Sequence, residues 1–439
     1  MANSDQHIAV ALSGGGHRAS LFGLGAMLYL VDAAKGSELA TVSSISGGSL
    51  TNAHLGLSFD LTTATPADVW RDTKPFAGQI ASRGTVWASR LTIAYLVLLF
   101  AVLAAPLVLS FLLPAPWSLA CWAVGLVIAG LLAQRRSWIA TRSFDAKLFR
   151  GRTLEHLHGA VSHVVCATDL QTSEAVYFSD RFVHSWRLGW GQPAGLPIAV
   201  AVQASAALPG AFNVVSLPTS RHGFSSSELP RFKLTDGGVY DNMGTEWPIR
   251  LRRRLTEGTP PTPPLKPADE LILVNASAAK DVIQRRSVRT PLLGELTTLL
   301  AVKDVLYDQT TAVRRRLVDL RFRATRGGVR VPDGDLAGVL VQIDRSPFEL
   351  PDSFRHGTDE LAGRANAAIE VLGEGTRQAW AADASASKHV KTALSKIPVE
   401  RAAALVRHAY VLTMVNCHVV LGYPLRTVPS DDAFRDLVT

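Results

Sequence analysis

Cysteine and charge are both scarce in this chain. Its 439 residues include 3 cysteines, Cys121, Cys166 and Cys417, which lie far apart and show no CxxC or Cys/His ligand spacing. This distribution argues against a disulfide framework and a structural zinc site, and it fits a reducing compartment. Charged residues make up 19% of the chain, yet 45 Lys and Arg against 37 Asp and Glu leave a net charge of +8. A chain that is both apolar and basic suggests one concentrated apolar segment and an anionic surface nearby.

The amino-terminal residues also lack the features of a secretory signal. Residues 1–7 contain no basic stretch, and no apolar run leads to a cleavage site. We therefore expect no secretory targeting.

One long segment of the chain contains no charged residue. From Leu91 to Gln134, 44 residues contain no Asp, Glu, Lys, Arg or His. The turn Pro114-Ala115-Pro116 divides them into Leu91–Leu113 and Trp117–Gln134, and each part is long enough to cross a bilayer of roughly 30 Å. We predict a two-helix transmembrane hairpin over residues 91–134. A hairpin lying partly in one leaflet is the alternative, whereas a hairpin buried in a soluble core would normally show a polar face.

Arginines flank this segment on both sides. Arg83 and Arg90 precede it, and Arg135, Arg136 and Arg142 follow it. By the positive-inside tendency both ends of the hairpin are cytoplasmic, which two spans allow. The sequence thus predicts a cytoplasmic-membrane protein with two spans, whose remaining chain is cytoplasmic and which contacts membrane lipid through residues 91–134.

Outside the hairpin, short apolar strands alternate with helical segments. Strand candidates are His7–Leu12, Thr41–Ile45, Ser162–Ala167 and Leu271–Val274, and this alternation predicts a mainly parallel α/β sheet. After about Phe348 the pattern is helical, with a stronger apolar helix at Ala402–Leu421.

A glycine-rich loop, Ser13-Gly14-Gly15-Gly16-His17-Arg18-Ala19, lies between the first strand and a helix. Its glycines leave backbone N–H groups free to point at an anion, and the helix N-terminus adds a favourable dipole. The loop lacks the Lys-Ser/Thr ending of a phosphate-binding Walker loop. No acidic residue follows the next strand where a dinucleotide site needs one.

The second motif is Val42-Ser43-Ser44-Ile45-Ser46-Gly47-Gly48-Ser49. A strand, a sharp turn and a helix in this order form a nucleophile elbow, which lifts a serine hydroxyl above the sheet edge. Ser44 stands where the usual G-x-S-x-G pattern has its first glycine. For this motif alone, an ordinary connecting turn is an equal alternative.

The third motif is Thr235-Asp236-Gly237-Gly238-Val239-Tyr240-Asp241-Asn242. An Asp at a strand end beside two glycines is placed to orient or deprotonate a neighbour, although Asp-Gly-Gly by itself is a common turn. Asp241 and Asn242 are expected to cap or brace this turn rather than to act chemically.

Taken together, the three motifs resemble the patatin-like phospholipase family. Cys166–Thr172 and Val202–Phe212 also look like stretches that this family carries between its serine and its aspartate. The resemblance covers roughly residues 7 to 280. It implies a three-layer patatin-like α/β domain with a mainly parallel central sheet, here interrupted by the hairpin and followed by a helical C-terminal region.

The activity implied by the resemblance is that of a serine lipid acyl hydrolase, which cleaves ester bonds of phospholipids or lysophospholipids through an acyl-enzyme. Ser46 would be the nucleophile and Asp236 the base of a Ser-Asp dyad. Backbone N–H groups of Gly14, Gly15 and Gly16 would form the oxyanion hole. No histidine stands in the downstream position that a Ser…Asp…His order requires, so all histidines are interpreted as structural or surface groups.

Arg18 has two candidate roles, to hold a phosphate headgroup or to brace the glycine loop, and bracing is preferred. Neither a cofactor nor a metal is expected. The alternative is a catalytically inactive protein of the same fold that binds lipid or a partner. Ser44 and Ala19, which replace small glycines of the family pattern, favour that alternative, and the presence of both Ser46 and Asp236 opposes it.

Three basic clusters occur at Arg250–Arg254, Arg285–Arg289 and Arg314–Arg316. They lack the aromatic interleaving and motifs of nucleic-acid binding, so no nucleic-acid partner is expected. Contact with anionic lipid is the simpler hypothesis, and a solvated helix face is the alternative for each cluster.

These features divide the chain into four predicted parts. The first part of the patatin-like domain, with the oxyanion loop and the elbow, comprises residues 1–90. The hairpin follows at 91–134. The second part, with the aspartate, comprises residues 135–348, and the helical C-terminal region comprises residues 349–439.

Overall fold

The computed structural model describes residues 7–87, 89–225, 227–277, 291–329 and 335–439. Their strands are β1 (Ile8–Leu12), β2 (Leu39–Ile45), β3 (Ser162–Asp169), β4 (Glu174–Phe178), β5 (Val183–Ser185), β6 (Gly189–Gly191), β7 (Val215–Pro218), β8 (Arg231–Asp236), β9 (Glu270–Asn275) and β10 (Ala337–Gln342). Their helices are α1 (Gly16–Asp32), α2 (Gly47–Ser58), α3 (Pro66–Gly78), α4 (Arg90–Leu109), α5 (Ala115–Ala133), α6 (Arg136–Phe144), α7 (Ile198–Ser205), α8 (Gly238–Asp241), α9 (Glu246–Arg254), α10 (Pro291–Arg326), α11 (Glu349–Asp352), α12 (Glu360–Leu372), α13 (Arg377–Lys388), α14 (Val399–Leu421) and α15 (Asp431–Val438).

One sheet organises the molecule, and its centre is parallel. The strands follow the order β10-β9-β1-β2-β3, and each neighbouring pair in this group is parallel. Beyond β3 the sheet continues with the antiparallel strands β4, β5 and β6, while β8 and β7 form a second antiparallel branch from β3. The predicted mainly parallel α/β sheet is therefore confirmed.

Helices cover both faces of the parallel strands. Alternate residues of β1 point to opposite sides, so Val10 joins a core with α1, α2 and α14, while Ala11 joins a core with α9 and α10. Burial on both faces explains why these strands are continuously apolar rather than alternating in the sequence. The strand β10 was not among the sequence predictions, although it extends the parallel part of the sheet.

The C-terminal helix α14 is an integral part of this core. It packs along α1 and against β10, and its residues Ala402, Val406 and Val411 are fully buried. The two helices approach closely because α1 has a glycine at the crossing: a Cβ added to Gly25 would collide with the Val406 carbonyl. The predicted helical region after residue 348 thus completes the face of the sheet that α1 begins.

The charge-free segment forms a helical hairpin of α4 and α5. Helix α4 ends at Leu109, four residues before the predicted end, and α5 begins at Ala115, where Pro116 fits the first helical turn. Large apolar side chains cover its outer surface, and Phe100, for example, is 74% exposed. Its base is fastened to the body, since Arg136 donates to the Gly210 carbonyl at 2.9 Å.

Three described helical stretches are long and apolar enough to cross a membrane: Arg90–Leu109, Ala115–Phe149 and Val399–Leu421. The second stretch includes both α5 and α6. The first two have 11% and 6% of their most apolar window buried, whereas the third has 72% buried. The third helix is α14, which the body already encloses.

Two of the basic clusters contain arginines with partners in the body of the protein. Arg254 is buried and donates to the Trp247 carbonyl and the Tyr177 hydroxyl, while Arg252 pairs with Asp269. In the cluster at residues 314–316, Arg314 pairs with Glu246 at 2.9 Å. Lipid contact by these clusters stays a prediction. The cluster Arg285–Arg289 lies outside the described residues.

Candidate active site

The sheet itself brings the serine and aspartate motifs together. Strand β2 pairs with β3 as far as Ile45, which lies opposite Cys166. Beyond this point β8 pairs with the same edge of β3, and Asp236 lies opposite the next residue, Ala167. Ser46 directly follows Ile45, so it leaves the sheet where β2 and β8 meet end to end. Residues that are 190 positions apart in sequence therefore lie at one point of the sheet.

Ser46 has the strained backbone of a nucleophile elbow. Its φ of 48° and ψ of −115° lie where non-glycine residues rarely occur. The turn is sharp because two glycines follow: a Cβ on Gly47 would collide with the Gly16 carbonyl, and one on Gly48 would lie 2.7 Å from the Leu12 carbonyl oxygen. The side chain of Ser44, at the position of the missing elbow glycine, is buried and donates to the Val164 carbonyl.

Ser205, at the end of α7, connects the elbow to the aspartate turn. Its hydroxyl oxygen accepts from the Ser46 N–H at 2.9 Å, and its carbonyl accepts from the Gly237 N–H at 3.0 Å. A Cβ on Gly237 would lie 2.9 Å from Cδ1 of Ile45, so the two turns are in contact. This bracing was not predicted from the sequence, although the stretch that contains Ser205 carried the family resemblance.

The Asp236 carboxylate is buried at the carboxyl end of β8. Its Oδ1 accepts from the Gly238 N–H at 2.7 Å, and its backbone carbonyl accepts from the Thr168 hydroxyl at 2.9 Å. Tyr307 of α10 lies beside it. Burial and the nearby Asp236 charge raise the pKa of Tyr307, which keeps the phenol protonated. Tyr307 carries no local motif that singles it out in the sequence.

The glycine loop crosses the carboxyl end of β1 and enters α1. The Gly14 N–H donates to the Asn242 carbonyl at 2.9 Å, which fixes the loop on the aspartate turn. Gly15 and Gly16 have φ values of 140° and 59°, and their N–H groups have no backbone acceptor among the described residues. These two amides belong to the first turn of α1, where N–H groups have no partner within the helix. They are thus available to a ligand oxygen, whereas the Gly14 amide is engaged.

Arg18 braces the glycine loop from the C-terminal side. Its Nη1 donates to the Val390 carbonyl at 2.9 Å, and burial lowers its pKa to about 10. The neighbouring His17 N–H donates to the Ala393 carbonyl at 2.9 Å. A segment about 375 residues away in sequence therefore supports the loop.

His17 is buried and neutral. Its Nδ1 lies 2.7 Å from the Ser395 carbonyl, which can only accept, so Nδ1 carries the proton and Nε2 accepts from the Thr85 hydroxyl. Burial lowers the pKa of His17 to about 4. No described histidine lines the cavity that contains Ser46.

Asp241 and Asn242 brace the aspartate turn. The Asp241 carboxylate accepts from the N–H groups of Met243 and Glu246, and the Asn242 amide donates to the Ser277 hydroxyl.

Ser46, Asp236 and the loop Gly14–Gly16 line one cavity of about 1030 Å³. The cavity continues away from these groups between the base of the hairpin and α10. Arg18, Arg136, Arg315, Asp236 and Asp308 are its charged lining residues. The described residues contain no cluster of three or more His, Cys, Asp or Glu side chains arranged to hold a metal ion.

Comparison with known proteins identifies a family for this chain. A family model described as patatin-like phospholipase matches residues 10–247, more than half of the chain, and its range contains the glycine loop, the elbow and the aspartate turn. Among solved structures, the crystal structure of VipD from Legionella pneumophila is similar at 10% identity and a TM-score of 0.26, covering 99% of this chain and 90% of that one. No curated protein matches the chain.

Proposed function

The chain belongs to the patatin-like phospholipase family, and from this premise we propose that it is a membrane-anchored carboxylic ester hydrolase acting on phospholipids or lysophospholipids. The single observation that carries the proposal is the meeting of Ser46, Asp236 and the glycine loop in one cavity. This cavity is large enough for a lipid chain and carries the groups that ester hydrolysis requires.

In the proposed reaction Ser46 Oγ attacks the ester carbonyl carbon, and its proton passes to the Asp236 carboxylate. The negative charge that develops on the carbonyl oxygen is stabilised by the free N–H groups of Gly15 and Gly16, while Gly14 holds the loop in position. The intermediate then collapses, the bond to the alcohol breaks, and Asp236 returns the proton to the departing alkoxide. The product of this half-reaction is an acyl-Ser46 ester.

Water completes the cycle. The oxygen of a water molecule attacks the acyl carbon while Asp236 takes a proton from that water. The carboxylic acid leaves when the bond between the acyl carbon and Ser46 Oγ breaks. The proton then returns from Asp236 to Ser46.

Two arginines favour a substrate with an anionic headgroup. Arg136 and Arg315 both line the cavity. Arg136 donates to the carbonyls of Ala133 and Gly210, which are neutral acceptors, so its positive charge is not cancelled there. A guanidinium group binds phosphate well, and these two side chains support a phospholipid rather than a neutral ester.

We further propose that the hairpin of α4 and α5 spans the cytoplasmic membrane and keeps the cavity beside its substrate, on the cytoplasmic side. The exposed apolar surface of both helices and the arginines at both ends support this arrangement.

Labelling with a fluorophosphonate probe tests the proposed nucleophile. Wild-type protein in its membrane should be labelled and should release fatty acid from phospholipid, while Ser46→Ala should do neither and Asp236→Asn should lose at least a thousandfold in rate. Ser58→Ala, at the other end of α2, is the matched control and should behave as wild type. Equal labelling and equal lipid turnover in wild type and Ser46→Ala would support the inactive, lipid-binding alternative instead.

A further inference from the structure

One wall of the cavity is a face of the first hairpin helix. Thr92, Leu96 and Leu99 of α4 line the cavity together with Tyr95. Positions spaced by three or four residues lie on one side of a helix, so these residues form a continuous stripe. At 1.5 Å per residue the stripe extends the cavity about 10 Å along α4, away from the body.

The rest of this part of the cavity is also apolar. Ile139 of α6, Leu208, Phe212 and Leu394 line it below the stripe, and Ser46 lies at the polar end with Asp236 and the glycine loop. Leu394 is 8% exposed and belongs to the segment that backs the loop, so this apolar lining reaches into the interior of the body.

The opposite side of α4 faces outward. Val97 is 63% exposed and does not line the cavity. Position 97 is about 200° around the helix from position 99, which puts the two residues on nearly opposite faces. Helix α4 thus has one apolar face toward the cavity and another toward the surroundings, with no polar strip to separate them.

We propose that this cavity holds one long acyl chain of a membrane lipid, which enters sideways from the bilayer along the Thr92–Leu99 face of α4 and brings its ester to Ser46. The inference deepens the proposed hydrolase function and rests on it. A chain that moves along this wall passes from one apolar environment to another, and its methylene groups need not cross water. Leu96 and Leu99 are then specificity-determining residues for long chains.

A bulky substitution on the cavity face of α4 tests the proposal. Leu99→Trp adds bulk on the cavity face, and Val97→Trp adds the same bulk on the outer face of the same helix as the matched control. Both variants are compared with wild type in lipid nanodiscs on a phospholipid with 18-carbon chains and on a water-soluble butyrate ester. Leu99→Trp should lower the ratio of long-chain to short-chain turnover at least tenfold, and Val97→Trp should leave both rates unchanged. An unchanged ratio in Leu99→Trp overturns the proposal.

A binding measurement separates this proposal from the hydrolase itself. Ser46→Ala protein is reconstituted with a phospholipid that carries a photoactivatable group near the end of one acyl chain, and the crosslinked residues are mapped by mass spectrometry. Crosslinks at Leu208 or Leu394, which line the cavity below the stripe, support chain entry, and Leu99→Trp should remove them. Crosslinks confined to the outer faces of α4 and α5 overturn it. If wild type hydrolyses neither ester, the hydrolase proposal fails, and the crosslinks still decide whether a chain enters.

Discussion

The hairpin helix α4 and the C-terminal helix α14 are similar in length, with 20 and 23 residues, but they have opposite surroundings. Both are long and apolar enough to cross a membrane. In α4, 11% of the most apolar window is buried by the rest of the chain, and in α14, 72% is buried. Helix α14 packs along α1, whereas α4 packs mainly against α5 and leaves Val97 and Phe100 exposed.

The difference lies in what each helix carries besides apolar residues. Helix α14 contains Arg401, Arg407 and His418, and Arg407 pairs with Asp383 at the surface of the body. After its first residue, α4 contains no charged residue. Hydropathy alone therefore does not distinguish a helix that the body encloses from one with an exposed apolar surface, whereas the positions of the charged residues do.

A charge in the buried helix gives the largest expected effect. Val411 of α14 is fully buried, so Val411→Asp places a carboxylate in the core without a partner. We expect a loss of more than about 4 kcal/mol in the free energy of unfolding, enough to prevent folding. Val411→Ala is the matched variant and should cost roughly 2 kcal/mol. Limited proteolysis of the expressed protein measures both, and a folded Val411→Asp protein would contradict the assignment of α14 to the core.

The same kind of charge in the hairpin should leave the body folded. Val97→Asp together with Val127→Asp places one carboxylate on the exposed surface of each hairpin helix. Each substitution should make the free energy of membrane insertion less favourable by about 3 kcal/mol. Carbonate extraction should then release a large share of the protein, while the thermal unfolding of the body is unchanged. Unfolding of the body would show that the hairpin is part of the protein core.

A glycine lies at the crossing of each helix pair, α1 with α14 and α5 with α4. A Cβ on Gly25 of α1 would lie 2.9 Å from the Ala409 Cβ and collide with backbone of α14, whereas one on Gly125 of α5 would lie 2.7 Å from the Pro106 ring of α4. Gly25→Ala should destabilise the body by about 3 kcal/mol through overpacking. Gly125→Ala should leave the melting temperature of the body unchanged. Tryptophan fluorescence during heating measures both, and equal effects would contradict the separation of the two helix pairs.

The smallest expected effect is the pH dependence of stability that comes from His17, which connects α1 to the segment before α14. Burial lowers the pKa of His17 to about 4, while an unfolded chain has a histidine pKa near 6.5. The unfolded state therefore binds a proton that the folded state excludes, and stability falls as the pH decreases from about 6.5 toward 4. At pH 5 this amounts to about 2 kcal/mol for one histidine.

His17→Gln should remove that part of the acid sensitivity. The variant is expected to lose about 2 kcal/mol less than wild type between pH 7 and pH 5, although it starts from a lower stability. His356→Gln, an exposed position, is the control and should retain the wild-type dependence. Denaturant unfolding at the two pH values measures the difference, and parallel curves for His17→Gln and wild type would refute the prediction.

The sequence was sufficient for the parallel strands β1, β2, β3 and β9, though not for β10, and for the family, because each motif consists of consecutive residues around a strand end. It was not sufficient for interactions between distant segments. The Gly14 amide was predicted as an oxyanion donor, and its bond to Asn242 depends on how the aspartate turn lies against the loop. Ser205 and Tyr307 reach the site only through the packing of α7 and α10, and no local pattern marks them.

The backing of the glycine loop has a consequence for the synthesis of this protein. A ribosome releases the glycine loop and the hairpin long before residues 390–395 have been made. Until then Arg18 lacks the Val390 carbonyl, and His17 lacks the carbonyls of Ala393 and Ser395. We expect the loop to take its final shape only after residues 390–395 have been made. A product that stops before residue 390 would then lack the backing of the glycine loop and should be inactive.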